Sequence, residues 1–366
     1  MRIGIDARLW NQTGVGRYIR NLVLNLQVID KKNEYVLFAI KEDAKNIKVT
    51  NPKWKIVIAD IRWHSLREQY ELPKILNKET LDLVHFPYFS VPILYKKLFV
   101  VTIHDLIMQH YPTGKASTLP LPFYRAKKIG YSRVIKNAVK NSEKIIVPLN
   151  SVKEDLIKSL RVPSEKIVVT YEGVDTNVST TTLQKNNMGK YFLYVGNAYP
   201  HKNLDRLIKG FELFKKETEE DVKLILVGKD DFFYQRLERQ QNNSSITFLH
   251  DLSDKDLASL YKNAIAFISA SVMEGFGLPA IEAISNDCLA ILSNIASFRE
   301  VCGDSAIYFD PLKSESIAKK MGEVYKNGKK HYVLNLQKGK ERLKLFSWKK
   351  MSEETLKVYE GSISLR

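Results

Sequence analysis

Short apolar runs alternate with longer stretches of helical periodicity along nearly the whole chain. In the first half, the runs Arg2–Asp6, Tyr35–Ile40, Lys55–Ile58, Leu83–Phe86, Phe99–Ile103, Lys144–Val147 and Ile167–Thr170 predict buried strands. Apolar positions three and four apart predict helices over Gly16–Ile29, Ser65–Asn77, Pro122–Asn141 and Ser151–Leu160. Ser151 and Glu154 have the spacing of a capping box for the last of these. The second half repeats the rhythm. Strands are predicted over Tyr191–Gly196, Val222–Gly228, Ile246–Leu249, Ala264–Ser269, Ala290–Leu292 and Ile307–Phe309. Helices are predicted over Asn203–Lys216, Phe233–Asn242, Ser253–Asn263, Pro279–Ser285 and Ser314–Lys326. Such alternation belongs to parallel sheets covered by helices, so the expected fold class is α/β, with two doubly wound Rossmann-like domains. Residues 176–190 are polar and aperiodic and act as the linker between a domain at 1–175 and one at 191–345. Phe346-Ser-Trp348 and a helical stretch over Lys349–Tyr359 make a separate closing segment, 346–366.

Ligands of doubly wound sheets bind at the carboxyl ends of the strands, so glycines there are informative. The run Ala264–Ser271 leads into Glu274-Gly-Phe-Gly-Leu-Pro-Ala-Ile-Glu282. Gly275 and Gly277 permit a tight bend, and Pro279 suits a first helical turn. The unpaired N–H groups of Gly275, Phe276, Gly277 and Leu278 then form an anion site. Glu274 precedes that site and Glu282 follows it one turn into the helix, so carboxylates able to bind hydroxyls stand on both sides. A diphosphate with hydroxyls on both sides is a nucleotide sugar. The competing reading is an ordinary strand, turn and helix in which Glu282 favours the positive helix end.

Composition and charge narrow the setting. The chain has 366 residues, 44% of them hydrophobic, enough for two domains with sizeable cores. No apolar run approaches the roughly 18–20 residues of a membrane-spanning helix, and a strand begins at Arg2 without a secretory leader. Cys288 and Cys302 form no CxxC pair and are expected as buried free thiols in a reducing, cytoplasmic setting. The net charge of +16 is uneven: residues 1–175 carry 29 Lys and Arg against 17 Asp and Glu, and the remainder 28 against 24. These basic residues are scattered through α/β elements and form no nucleic-acid module, so an anionic membrane surface or anionic acceptor is the expected partner and nucleic acid is not. Tyr124–Lys140 is a basic amphipathic stretch. It suits either an anionic bilayer or a core-packing helix with a solvated lysine face.

The pair of glutamates around Gly-Phe-Gly-Leu-Pro resembles the donor-site motif of retaining glycosyltransferase family 4, and other segments are similar to its bacterial mannosyltransferase-like members. The resemblance implies the GT-B fold, two domains facing a central cleft, with the segment 346–366 crossing back to the N-terminal domain. It implies that Glu274 lies against the donor sugar and Glu282 binds the ribose. Gly14-Val-Gly16-Arg17 fails as a dinucleotide fingerprint because Ile19 holds the third glycine position. In the family such a loop lies close to the donor diphosphate and the acceptor, with Arg17 supplying charge. Tyr191-Phe-Leu-Tyr-Val-Gly196-Asn197-Ala-Tyr-Pro-His201-Lys202 resembles the donor-phosphate signature, in which Lys202 stabilises charge growing on the leaving oxygen. Family members usually carry an arginine at the place of Asn197 or His201, so either His201 substitutes or Arg17 carries more of the burden.

Gly228 and Leu252 fall at segments resembling the strand ends around the donor base. His104 resembles the strand-end histidine that contacts the transferred sugar, with Asp105 fixing its tautomer or orienting the acceptor. Glu68 and Tyr88 lie in segments resembling acceptor-side regions. Asp254 and Asp256 follow Ser253 at a helix start, so capping explains them better than metal binding, and no metal or other cofactor is expected. The resemblance thus implies a retaining, metal-independent transferase with His104, Lys202 and Glu274 in the chemistry. It would move a hexose, mannose as the first guess, from a nucleoside diphosphate sugar to a hydroxyl of a glycan or lipid-linked glycan. The expected location is cytoplasmic, peripheral on the inner face of the membrane. Two alternatives stand beside it: a nucleotide-sugar epimerase or hydrolase on the same fold, and a non-catalytic nucleotide-sugar-binding protein.

Overall fold

The computed structural model describes residues 1–111, 121–174, 188–218 and 220–364, the side chains of 121–126 excepted. They fall into two compact units. The first takes the described residues of Met1–Gly114, Leu119–Gly173 and Phe346–Arg366, and the second those of Val174–Leu345.

The first unit is built on β1 (Arg2–Asp6), β2 (Glu34–Ala39), β3 (Trp54–Ile58), β4 (Leu83–Phe86), β5 (Phe99–Thr102), β6 (Ile145–Val147) and β7 (Ile167–Val169). Their order is β3-β2-β1-β4-β5-β6-β7, and every pairing is parallel. The second unit holds β8 (Lys190–Val195), β9 (Val222–Gly228), β10 (Ile246–His250), β11 (Ala266–Ser269), β12 (Ala290–Ser293) and β13 (Ile307–Phe309). Their order is β10-β9-β8-β11-β12-β13, again all parallel. Both sheets therefore reverse direction beside their first strand, between β1 and β4 and between β8 and β11, where doubly wound sheets open a crevice. The continuous apolar runs are explained by burial on both faces: all residues of β4, β5, β6, β11 and β12 are buried.

The C-terminal helix, Trp348–Ser364, belongs to the first unit. It packs on the helix Gly14–Ile29, and the Tyr359 hydroxyl lies 2.7 Å from Nδ1 of buried His85 on β4. A Cβ on Gly173 would overlap the backbone of Trp348, and the Tyr171 and Phe346 rings meet edge to face at 5.8 Å. The segment that ends the first unit at Gly173 thus packs on the segment that resumes it at Phe346.

Four helices escaped the periodicity argument: Lys41–Ala44, Ile107–His110, Ala296–Cys302 and Val333–Leu343. The first three are too short to show a repeat. The fourth carries its apolar residues Val333, Leu334, Leu336 and Leu343 exposed or half-buried, and only Gly339 is buried, against Ile284. The capping box at Ser151 is corrected. The helix starts at Asn150, after extended and fully buried Leu149, so Ser151 lies inside it and not at its N-cap. Lys190 belongs to β8 and not to the linker, and residues 176–187 of that stretch lie outside the described residues. In the helix Leu121–Asn141, Tyr131, Ile135, Ala138 and Val139 face the core, while Lys127, Lys128, Arg133, Lys136 and Lys140 are exposed. Among the described residues, no helix is long and apolar enough to cross a membrane. Cys288 and Cys302 are free and buried, and burial pushes both thiols up to about 12.

Candidate functional site

In the second unit the neighbouring strands β8 and β9 both run into glycine. Gly196 follows β8 with φ +152°, and a Cβ on Gly228 at the end of β9 would overlap both the Tyr234 ring and the Gly196 carbonyl oxygen. The Tyr234 hydroxyl donates to that carbonyl at 2.9 Å, and the Tyr194 hydroxyl donates to the Asn197 carbonyl at 2.7 Å. The chain then turns through Pro200–Lys202 to Asn203, whose φ is +60° and whose side-chain amide donates to the carbonyls of Ala270 and Pro311 at 3.0 and 2.8 Å. That buried anchor fixes the lysine beside it.

Lys202 Nζ donates to both carboxylate oxygens of Glu274, at 2.7 and 2.8 Å, with little side-chain exposure on either partner. The Ser271 hydroxyl donates to Glu274 Oε1 at 2.7 Å, and the Val272 amide donates to the His201 carbonyl at 2.8 Å. The loop after β8 and the loop after β11 are thus tied together through the two groups that the motifs single out. Burial alone would raise the Glu274 pKa, but Lys202, helped by the Ser271 hydroxyl, holds it below the usual carboxylate value. Burial and then Lys202 push the His201 imidazole down to about 4, so it is neutral near pH 7 and supplies no charge in place of an arginine.

Gly277, at φ +88°, is the N-cap of the helix Leu278–Ser285, with Pro279 in its first turn. A Cβ there would come within 2.8 Å of the Phe298 ring, so glycine is required on two counts. Gly275 and buried Phe276 complete the turn that leaves the first helical amides unpaired by the helix itself. Glu282 lies inside this helix, nine-tenths buried, and accepts from the Tyr261 hydroxyl at 3.2 Å. Half-buried Leu252 follows β10 just after Asp251, whose φ is +49°. Ser253 Oγ accepts the Asp256 N–H at 3.2 Å and donates to its carboxylate at 2.6 Å, so the Asp-x-Asp stretch is a helix cap.

In the first unit, Gly14 and Gly16 lie inside the first turn of Gly14–Ile29. Gly16 packs on the carbonyls of Leu9 and Trp10, whereas a Cβ on Gly14 would meet nothing within 4 Å; Arg17 is half-buried. His104, past β5, has Nδ1 3.0 Å from the Glu172 carboxylate and Nε2 3.0 Å from the Pro87 carbonyl oxygen. Its ring meets Tyr18 edge-on at 4.9 Å. Asp105 instead accepts the Ile107 N–H at 2.9 Å, so the expectation that it fixes the His104 tautomer is corrected in favour of Glu172. Sequence reading missed Glu172. Its one local signal is a carboxylate just past β7, at the same sheet edge. Glu68 is also corrected: it is fully buried and accepts from Arg8 at 2.6 Å, Ser90 at 2.8 Å and the His64 amide at 2.9 Å, which removes it from direct contact with an acceptor. Tyr88 is half-buried, with its ring 4.3 Å from Phe89 and 5.8 Å from His64.

Two all-parallel doubly wound sheets, each with its order reversing beside the first strand, define the GT-B class of fold. A family model described as Glycosyltransferase Family 4 matches residues 12–178, and one described as Glycosyl transferases group 1 matches residues 177–340. The chain belongs to glycosyltransferase family 4. It is 31% identical to the O-antigen chain mannosyltransferase RfbU of Salmonella typhimurium over 68% of this chain and 65% of that one, just under two thirds of the relative's length. It is 27% identical to O-antigen chain mannosyltransferase B of Escherichia coli over 95% of this chain and 96% of the relative. Among solved structures, Anabaena HepE in complex with UDP-glucose superposes with a TM-score of 0.74 at 13% identity, covering 99% of this chain and all of that one.

Proposed function

We propose that the protein is a retaining, metal-independent hexosyltransferase that moves mannose from a nucleoside diphosphate sugar to a hydroxyl of a glycan or lipid-linked glycan. The observation that carries this is the enclosed Lys202–Glu274 pair beside the glycine turn that starts the helix Leu278–Ser285. An enclosed ion pair adds little stability over apolar packing, so its retention favours a use in binding, and a diphosphate for the lysine with hydroxyls for the carboxylate fits both. The relatives that carry O-antigen mannosyltransferase names, and the UDP-glucose in the HepE complex, support the same assignment.

In this reading the amides of Gly275–Leu278 and Lys202 take the diphosphate, Glu274 the sugar hydroxyls and Glu282 the ribose. Gly196, Asn197 and Leu252 are assigned to the nucleoside, whereas Gly228 is packed against the Tyr234 ring and the Gly196 carbonyl and offers it only backbone. As the C1–O bond to phosphate breaks, its electron pair passes to the leaving oxygen, and Lys202 stabilises that charge with no metal. The acceptor oxygen bonds to C1 on the same face, and its proton goes to the departing phosphate. No protein nucleophile is consumed. The first unit's Gly14, Gly16 and Arg17 keep the phosphate role that the resemblance implies for them, and its His104, Asp105 and Tyr88 the sugar and acceptor roles. The exposed basic face of Leu121–Asn141 is assigned to an anionic membrane surface on the cytoplasmic side, which would present a lipid-linked acceptor.

The test is incubation with GDP-mannose labelled at C1, with and without a mannose-terminated acceptor glycan, in the presence of a chelator. The expected result is turnover that depends on acceptor, survives the chelator and yields an α-linked product. Full turnover without acceptor would identify a hydrolase or epimerase, and none in either case a binding protein.

A further inference from the structure

His104 is held from both sides by groups that accept hydrogen bonds. The Pro87 carbonyl has no proton to give, so Nε2 must carry one. Nδ1 faces the Glu172 carboxylate at 3.0 Å. A neutral ring with its proton on Nε2 would set a nitrogen lone pair against an ionised carboxylate. We propose that Glu172 is a positioning residue that holds His104 as a doubly protonated imidazolium, and thereby bars it from acting as a general base; the catalytic consequence rests on the transferase reading above.

The surroundings favour the charged ring. Glu172 approaches from the segment after β7 and Asp105 from the ring's own segment. The Pro87 carbonyl comes from the end of β4, and Tyr18 presents an uncharged ring from the helix Gly14–Ile29. His85 on β4 is the other titratable neighbour, and burial followed by the nearby His104 pushes it down to about 3, so it stays neutral. Burial opposes charge on His104, but Glu172, then Pro87 and Asp105, outweigh it and raise its pKa. Glu172 is itself anchored. Its neighbours Tyr171 and Gly173 pack on Phe346 and on the Trp348 backbone, so the carboxylate cannot follow a ring that turns away.

The chemical consequence is specific. An imidazolium with both N–H groups committed has no lone pair to take the acceptor hydroxyl's proton, which leaves that proton to the departing phosphate oxygen. The wild-type rate should therefore show no ascending limb from His104. It should decline as pH rises through the raised pKa, where the ring loses its second proton.

The test uses the full-length protein with nitrogen-15-labelled histidine, His104→Asn to assign the ring signals, and Glu172→Gln. Near neutral pH the wild-type ring should show both nitrogens protonated, and this should persist above the ordinary histidine value of 6.5. In Glu172→Gln the ring should be neutral with only Nε2 protonated, and kcat should fall about tenfold or more with the donor KM little changed, as for loss of a charge-assisted hydrogen bond. Glu172→Asp should restore part of both. A wild-type ring with one N–H at neutral pH, or an unchanged ring state in Glu172→Gln, would overturn the proposal. The wild-type titration decides the question even if the variant does not fold. The ring spectrum needs no turnover, so failure of the transferase reading would appear separately, as a wild type that transfers nothing.

Discussion

Lys202 and Glu274 are each other's main electrostatic partner, and this makes their removal informative. Because the folded pKa of Glu274 is depressed, the pair contributes stability above the ordinary carboxylate value of 4.5, lost as pH falls through the lower folded value. Lys202→Met leaves the carboxylate enclosed without its cation, so burial then drives its pKa up. The sign reverses: the variant should lose stability as pH rises towards neutral, by about 3 kcal/mol in denaturant melts. Lys202→Met with Glu274→Met should recover most of that loss, yet neither variant should bind a nucleoside diphosphate sugar in calorimetry. A single variant as stable as wild type at pH 7 would mean that the pair is not enclosed in solution. At this scale the motif runs stand out in the sequence because each is contiguous, and the structure joins two of them through Lys202 and Glu274. Their partners were not. Ser271, Tyr261, Tyr234 and Glu172 reach Glu274, Glu282, Gly196 and His104 through turns and strand pairings that no local pattern encodes.

At the scale of elements, the glycine positions separate packing from ligand approach. Gly228 has no room for a Cβ, and Gly277 combines a positive φ with the Phe298 ring, so both are dictated by the fold. Gly228→Ala should destabilise the second unit by about 2 kcal/mol, seen as an earlier urea midpoint. Gly14 is different: it is helical and faces open space. Gly14→Ala should leave stability equal or up to about 1 kcal/mol higher, while transfer falls if the diphosphate approaches that backbone. Unchanged transfer would release Gly14 from the site. The strands were read to within two residues because double burial writes them as apolar runs, as at β4 and β11. The cap at Ser253 was read too, since a cap is local chemistry. The one expected at Ser151 was not found, because that helix already starts at Asn150.

For the molecule as a whole, the alternation of elements was enough to give two parallel sheets, because that architecture follows from the order of apolar periods. The C-terminal helix shows where this runs out. Its attachment to the first unit depends on Tyr359 meeting His85 and on Trp348 seating against Gly173, contacts between residues far apart in the chain. Placement of the basic charge tells a similar story: the composition gave its excess, but only the fold separates the exposed lysines of Leu121–Asn141 from the buried Tyr131 and Ile135. The measurement that tests the central claim most directly is a crystal structure of the protein soaked with GDP-mannose. The account expects the diphosphate against Lys202 and the amides of Gly277 and Leu278, with mannose hydroxyls on Glu274 and the ribose on Glu282. A nucleotide resting away from these groups, with the Lys202–Glu274 pair intact, would contradict it.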